Sequence, residues 1–230
     1  MITLFRKPRF LFGIWAQMNT MMAVQFIAPN ISVKLFSLGF DQTLIGLSYG
    51  IPSILYACTC PFIYLLTAKT EKRGIIVIGF LFISVALLMI AGNEDIRYYN
   101  KESVFIIWGL IVIGVSTGMV TIPVLPEMLD AIAEDKELTA KYDNEYIQNI
   151  ISGLFIAFQS IGEAMGPIIS QTLITYFNFQ AAYEIFSHYL MFYCFLYFLF
   201  CGNFAIFGCP CCQDHEESDD EEINELIQNK

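Results

Sequence analysis

The side chain best placed to do chemistry is Glu163, midway along an apolar stretch that runs from about Ile147 to Phe177. An ionised carboxylate at the centre of a bilayer costs at least about 2.5 kcal/mol on the most lenient insertion scale, so it must be protonated, paired or facing water. Two roles meet that constraint. Glu163 is either an acid whose protonation competes with solute binding, or a carboxylate hydrogen-bonded to a neighbouring helix that holds a bundle together. Beside it, Gly162 and Gly166 put two bare backbone patches on one helix face and admit a close neighbour. Pro167 follows, removing a backbone hydrogen bond and bending the helix there. Gly114 and Gly118, then Pro123 and Pro126, repeat this theme in an earlier stretch, which is expected to break near its end.

Polar side chains crowd the first apolar stretch as well: Gln17, Asn19, Thr20, Gln25 and Asn30 are too many for a face that looks at lipid. Met18, Met21, Met22 and Gln25 fall three to four apart, near one helical face, and pliable methionines suit an organic solute. No Ser/His/Asp or Cys/His triad, phosphate loop or His-Glu-x-x-His element occurs, so neither an enzyme nor a cofactor or metal site is expected. His188 reads as a hydrogen-bonded packing residue before a catalytic one.

The elements that must position these residues follow from composition. The 230 residues are 56% hydrophobic and 15% charged with a mean hydropathy of +0.58, which excludes an ordinary water-soluble domain. The net charge of -10 is not a fold-wide field, because the acids concentrate between Glu127 and Glu145 and between Asp214 and Glu225. The 12 Lys+Arg are scattered, which leaves no basic surface for nucleic acid. Crossing the hydrocarbon takes roughly 20 mainly apolar residues. Six stretches qualify: residues 10–36, 44–66, 74–92, 103–125, 147–177 and 182–207. Their continuity predicts helices and not barrel strands. The chain therefore divides into an amino-terminal segment 1–9, a six-helix bundle 10–207 and an acidic tail 208–230. The first stretch is too long for a signal peptide and lacks a small-residue cleavage site.

Lys and Arg set the orientation. Arg6, Lys7, Arg9, Lys69, Lys72, Arg73, Lys136, Lys141 and Lys230 fall on one side, and Lys34, Arg97 and Lys101 on the other. Both termini are thus expected in the cytoplasm, with the bundle in a plasma or vesicle membrane. Trp15, Trp108 and Tyr98–Tyr99 sit where interfacial aromatics belong. All seven cysteines fall in helices or on the cytoplasmic side, so no disulfide framework is implied.

The second and fifth stretches share a pattern. Gly46-Leu47 leads after some turns to Cys60-Pro61, as Gly153-Leu154 leads to Gly166-Pro167. These helices are three apart in order, which points to two three-helix inverted repeats.

From Lys7-Pro8-Arg9-Phe10-Leu11 to about Phe207 the chain resembles the carboxy-terminal six-helix half of a major facilitator superfamily transporter. It is closest to the vesicular amine/polyamine and drug:proton antiporter branches. The resemblance is most specific over Ile122-Pro123-Val124-Leu125-Pro126-Glu127-Met128-Leu129-Asp130 and over Ser160-Ile161-Gly162-Glu163-Ala164-Met165-Gly166-Pro167. Gly162, Gly166 and Pro167 match a Gly-x-x-x-Gly-Pro element typical of the family's antiporters. The resemblance implies that the first and fourth helices line a cavity. Gln17, Thr20, Gln25, Ser116 and Thr121 then face solute, or else hydrogen-bond between helices. Two features depart from the family. Thr67-Ala68-Lys69-Thr70-Glu71-Lys72-Arg73-Gly74 lacks the aspartate of the Asp-Arg-x-Gly-Arg-Arg gate loop. The family also has twelve helices, so this chain is either a piece of a longer one or assembles with a second six-helix half or with its own copy.

Cys209, Cys211 and Cys212 follow the last stretch and suit S-palmitoylation, zinc ligation with His215, or no modification. The acidic run from Ser218 to Glu222 reads as disordered, and also resembles a kinase or sorting segment. The expected function is secondary transport of a small organic solute by alternating access, coupled to protons. The rival is a non-transporting membrane adaptor that works through its acidic tail.

Overall fold

A computed structural model describes residues 8–92, 102–133 and 144–201. Six helices follow in order: α1 (Pro8–Ser37), α2 (Gln42–Thr67), α3 (Lys72–Ala91), α4 (Glu102–Ala133), α5 (Asn144–Tyr176) and α6 (Phe179–Cys201). No strand occurs among the described residues. Helices are the physical consequence of apolar runs in lipid, where each backbone group needs a partner within its own segment.

Five of the six are long and apolar enough to cross a membrane; α5 is the exception. Gln148, Asn149, Ser152, Gln159, Ser160, Glu163, Ser170 and Gln171 dilute its apolar run. Its broadest neighbour is α1, which carries matching polar groups. α4 differs from the sequence expectation in another way. It continues as helix through Pro123 and Pro126 to Ala133 instead of breaking there. Each proline forfeits a hydrogen bond, at roughly 3 kcal/mol in a helix interior. The extra turns bury Val124, Glu127, Met128, Ala131 and Ile132, and that packing offsets the loss.

α1 packs chiefly on α5, with a further seam on α4; α3 packs on α4 and α6, and α2 on α4. The core where α1, α3 and α6 meet is aromatic. Phe26 stacks on Phe186 at 4.3 Å between centroids and takes the edge of Tyr183 at 5.1 Å. Such pairs add about 0.5–1.5 kcal/mol each beyond area burial. The outward sides of α2, α5 and α6 expose Leu47, Phe62, Ile168 and Phe192, as a lipid-facing surface should.

One turn needs a particular residue. α1 ends with the Phe40 N–H on the Leu35 carbonyl at 3.2 Å, which holds Gly39 at φ 86°. That left-handed conformation is open to glycine with little strain.

Candidate functional site

Gly162, Gly166 and Gly114 each bring a second helix backbone into close approach. A Cβ on Gly166 would stand 2.8 Å from the Met22 carbonyl oxygen and 2.7 Å from Gln25 Cβ; one on Gly162 would strike the Met18 carbonyl. These glycines clamp α5 against α1. Likewise Gly114 of α4 admits the α2 backbone, because a Cβ there would lie 2.6 Å from the Pro52 carbonyl oxygen, and Gly118 meets Thr59. Pro123, Pro126 and Pro167 all lie inside continuous helices.

With α1 and α5 held this close, their polar side chains meet. Gln17 Nε2 donates to Gln159 Oε1 at 3.3 Å, and Gln159 Nε2 donates to Glu163 Oε1 at 3.1 Å. A relay of three side chains thus runs from α1 to Glu163, which is half-buried. Farther along the same seam Asn30 Nδ2 donates to Ser170 Oγ at 2.6 Å, Ser170 donates to the Phe26 carbonyl at 2.6 Å, and Gln171 Nε2 donates to Asn30 Oδ1 at 3.0 Å. Tyr189 of α6 donates to Asn19 at 3.0 Å.

Between α1, α2, α4 and α5 lies a cleft of about 290 Å³ lined by Met21, Val24, Pro52, Ser53, Tyr56, Gly114, Thr117 and Gln159. Its walls combine apolar side chains, one aromatic ring and a few uncharged polar groups, the make-up of a small-molecule site. None of these eight lining side chains is charged.

The five residues expected to face solute are distributed as follows. Gln17 is fully buried and one hydrogen bond from the cleft wall. Thr20 and Ser116 are fully buried, and each donates its hydroxyl within its own helix, to Ala16 at 2.8 Å and Val112 at 2.7 Å. Gln25 packs its Cβ at Gly166. The Thr121 hydroxyl is buried without a partner among the described residues. The sequence reading missed Gln159, although its spacing of one helical turn from Glu163 was a usable signal. It also missed Ser53, Tyr56 and Thr117, whose polarity on their own helices says nothing of the shared cleft. His188 Nδ1 donates to the Glu184 carbonyl at 2.6 Å. Cys209, Cys211 and Cys212, with His215 and the acidic tail, lie outside the described residues.

No protein-family model matches the chain. It is 32% identical over 163 residues to the mouse "MFS-type transporter SLC18B1", covering 68% of this chain and 34% of that protein. The rat protein of the same name is 32% identical over 166 residues (70% and 35%), and the human one 28% over 163 residues (70% and 35%). This chain is a partial relative of the major facilitator superfamily transporters. Its match spans about a third of the length of those relatives.

In this major facilitator relative the first turn of α3 is tied down by charge. Arg73 Nε donates to Glu127 Oε1 at 2.9 Å and Arg73 Nη1 to the Cys201 carbonyl at 3.1 Å. Arg9 Nη2 reaches the same Glu127 oxygen at 2.8 Å, and Lys72 pairs with Asp130. α1, α3, α4 and α6 are thereby joined at one end of the bundle. Lys34 and Glu102 pair at 2.5 Å at the opposite end, joining α1 to α4. Both charges of this pair suit their helix dipoles, since Lys34 lies in a last turn and Glu102 in a first.

Proposed function

We propose that the chain is a six-helix half of a secondary transporter, the carboxy-terminal half by its resemblance, moving a small organic solute by alternating access in exchange for protons. The relay Gln17–Gln159–Glu163 beside the cleft carries this reading. It sets one carboxylate within the span of α5 next to a space of solute size, and a proton-exchanging antiporter needs that pairing.

The helix pairings support two inverted three-helix units. Exchanging α1 with α4, α2 with α5 and α3 with α6 turns the α1–α5 seam into the α4–α2 seam and returns the α1–α4 and α3–α6 seams to themselves. The α3–α4 seam is broader than its counterpart between α6 and α1. Small residues recur at one spacing on the outer faces of the two exchanged helices: Gly46, Gly50, Ser53 and Ala57 on α2, and Gly153, Ala157, Ser160 and Ala164 on α5. All but Gly50 are exposed. These stripes suit close packing against a second six-helix half, or a second copy, which would wall the cleft. Six crossings, with α5 sheltered along α1, would put both termini in the cytoplasm beside Arg9 and Arg73.

The test is uptake into vesicles containing the chain, with an imposed pH gradient and a panel of amines, sugars and organic acids. Gradient-driven accumulation of one solute class is expected. If every solute equilibrates at the rate of empty vesicles in either gradient direction, the reading fails.

A further inference from the structure

The transport reading leaves open how the cleft communicates with Glu163, because Glu163 does not line it. Gln159 does, and both ends of its amide are engaged. Its Nε2 donates to Glu163 Oε1 at 3.1 Å, and its Oε1 accepts from Gln17 Nε2 at 3.3 Å. Gln17 is 0% exposed, and its own Oε1 is buried without a partner among the described residues. A buried acceptor left open is unfavourable and draws a donor toward it. The Gln159 N–H therefore has two destinations: the carboxylate it now serves, and the carbonyl oxygen of Gln17 once the two amides turn.

We propose that Gln159 is a positioning residue between cleft and carboxylate, and that a solute is sensed when its own N–H or O–H donor takes over the Gln159 bond to Glu163. The inference rests on the transport reading of this cleft. A group with no donor would fill the cleft and leave Glu163 held by Gln159. A donor-bearing group would reach the carboxylate and release Gln159 to Gln17, so that occupancy on the α2–α4 side is felt between α1 and α5. Solutes are thus sorted by the group they present at Gln159, while Met21, Val24 and Tyr56 accept the rest.

The experiment needs no solute. The chain in lipid vesicles is treated with dicyclohexylcarbodiimide, which modifies carboxyl groups in apolar surroundings, and labelling of each carboxylate is followed by peptide mass spectrometry. Gln159→Met keeps the length of the side chain and removes both hydrogen bonds. It is expected to speed labelling of Glu163 by about tenfold, the factor for losing one hydrogen bond to a charged group. Gln17→Met should act in the same direction and less, because it frees one end of Gln159. Labelling of Glu127, in the ion cluster at the bundle end, should match the unsubstituted chain and reports that the packing is intact. Unchanged labelling of Glu163 in Gln159→Met overturns the proposal, since bulk alone then shields the carboxylate. An acceleration that Glu127 shares in both variants overturns it as well. Transport is not read, so vesicles that move no solute leave this result standing.

Discussion

Arg9 and Glu127 are 118 residues apart in the chain, yet two guanidinium nitrogens of Arg9 converge on one Glu127 oxygen, at 2.8 and 3.2 Å. Arg73 reaches that oxygen from a third helix. The Glu127 side chain is 5% exposed, and so the carboxylate is the hub on which α1 and α3 are fastened to α4. Removing one partner of a buried ion pair strands the other charge, at about 3–5 kcal/mol. Glu127→Ala should therefore lower stability in detergent by about 3 kcal/mol. Asp130→Ala, which removes the half-exposed partner of Lys72, should lower it by less than about 1 kcal/mol. Thermal melting of the purified variants separates the two, and equal losses would refute the hub.

The glycine clamp between α1 and α5 gives a graded series. Gly166→Ala forces its Cβ against Met22 and Gln25, whereas Gly153→Ala meets nothing within 4 Å. Overpacking of this kind costs about 1–3 kcal/mol, and the open position should change stability by less than about 0.5 kcal/mol. Melting curves in one detergent check the order, with Gly162→Ala expected to be the most damaging because the Met18 carbonyl oxygen there stands nearer than any atom a Cβ on Gly166 would meet.

Glu163→Gln keeps the shape of the side chain and a hydrogen-bond acceptor for Gln159, and loses the exchangeable proton. Solute uptake driven by a pH gradient should vanish, while melting stays within about 0.5 kcal/mol of the parent chain. Retained pH dependence of uptake in this variant would remove Glu163 from the coupling role.

At the other end Lys34 and Glu102 are 16% and 14% exposed and 2.5 Å apart. Their coupling in a double-mutant cycle should reach about 1 kcal/mol, within the range for residues in direct contact. The exchanged pair Lys34→Glu with Glu102→Lys should recover part of the loss that either reversal causes alone. It would not recover all, because each charge then opposes its helix dipole.

Much of the fold was legible because, in lipid, helix formation is a local decision. The apolar runs beginning near Phe10, Leu44, Gly74, Ser103, Ile147 and Ala182 each became a helix, since no other structure satisfies a backbone there. The ends were less legible. Pro123 and Pro126 announced a break that did not occur, because burial of Val124 and Met128 in the assembled bundle outweighed a local preference.

Glu163 drew attention by charge alone, and the glycine pairs by their spacing of four. Which surface those glycines would meet was not readable: Gly162 against Met18 and Gly114 against Pro52 are facts of how α5 docks on α1 and α4 on α2. The same holds for Gln159, one polar residue among several on α5 until the Gln17 amide arrives opposite it.

Sequence alone determined six helices, their membrane setting and the family resemblance, because hydrophobic length and residue type act segment by segment. Tertiary structure decided the partners: Glu127 for Arg9 and Arg73, Gln159 for Glu163, and the cleft between Tyr56 and Met21. Hydrogen bonds and ion pairs between helices depend on register and rotation, and these are set by packing of the whole bundle.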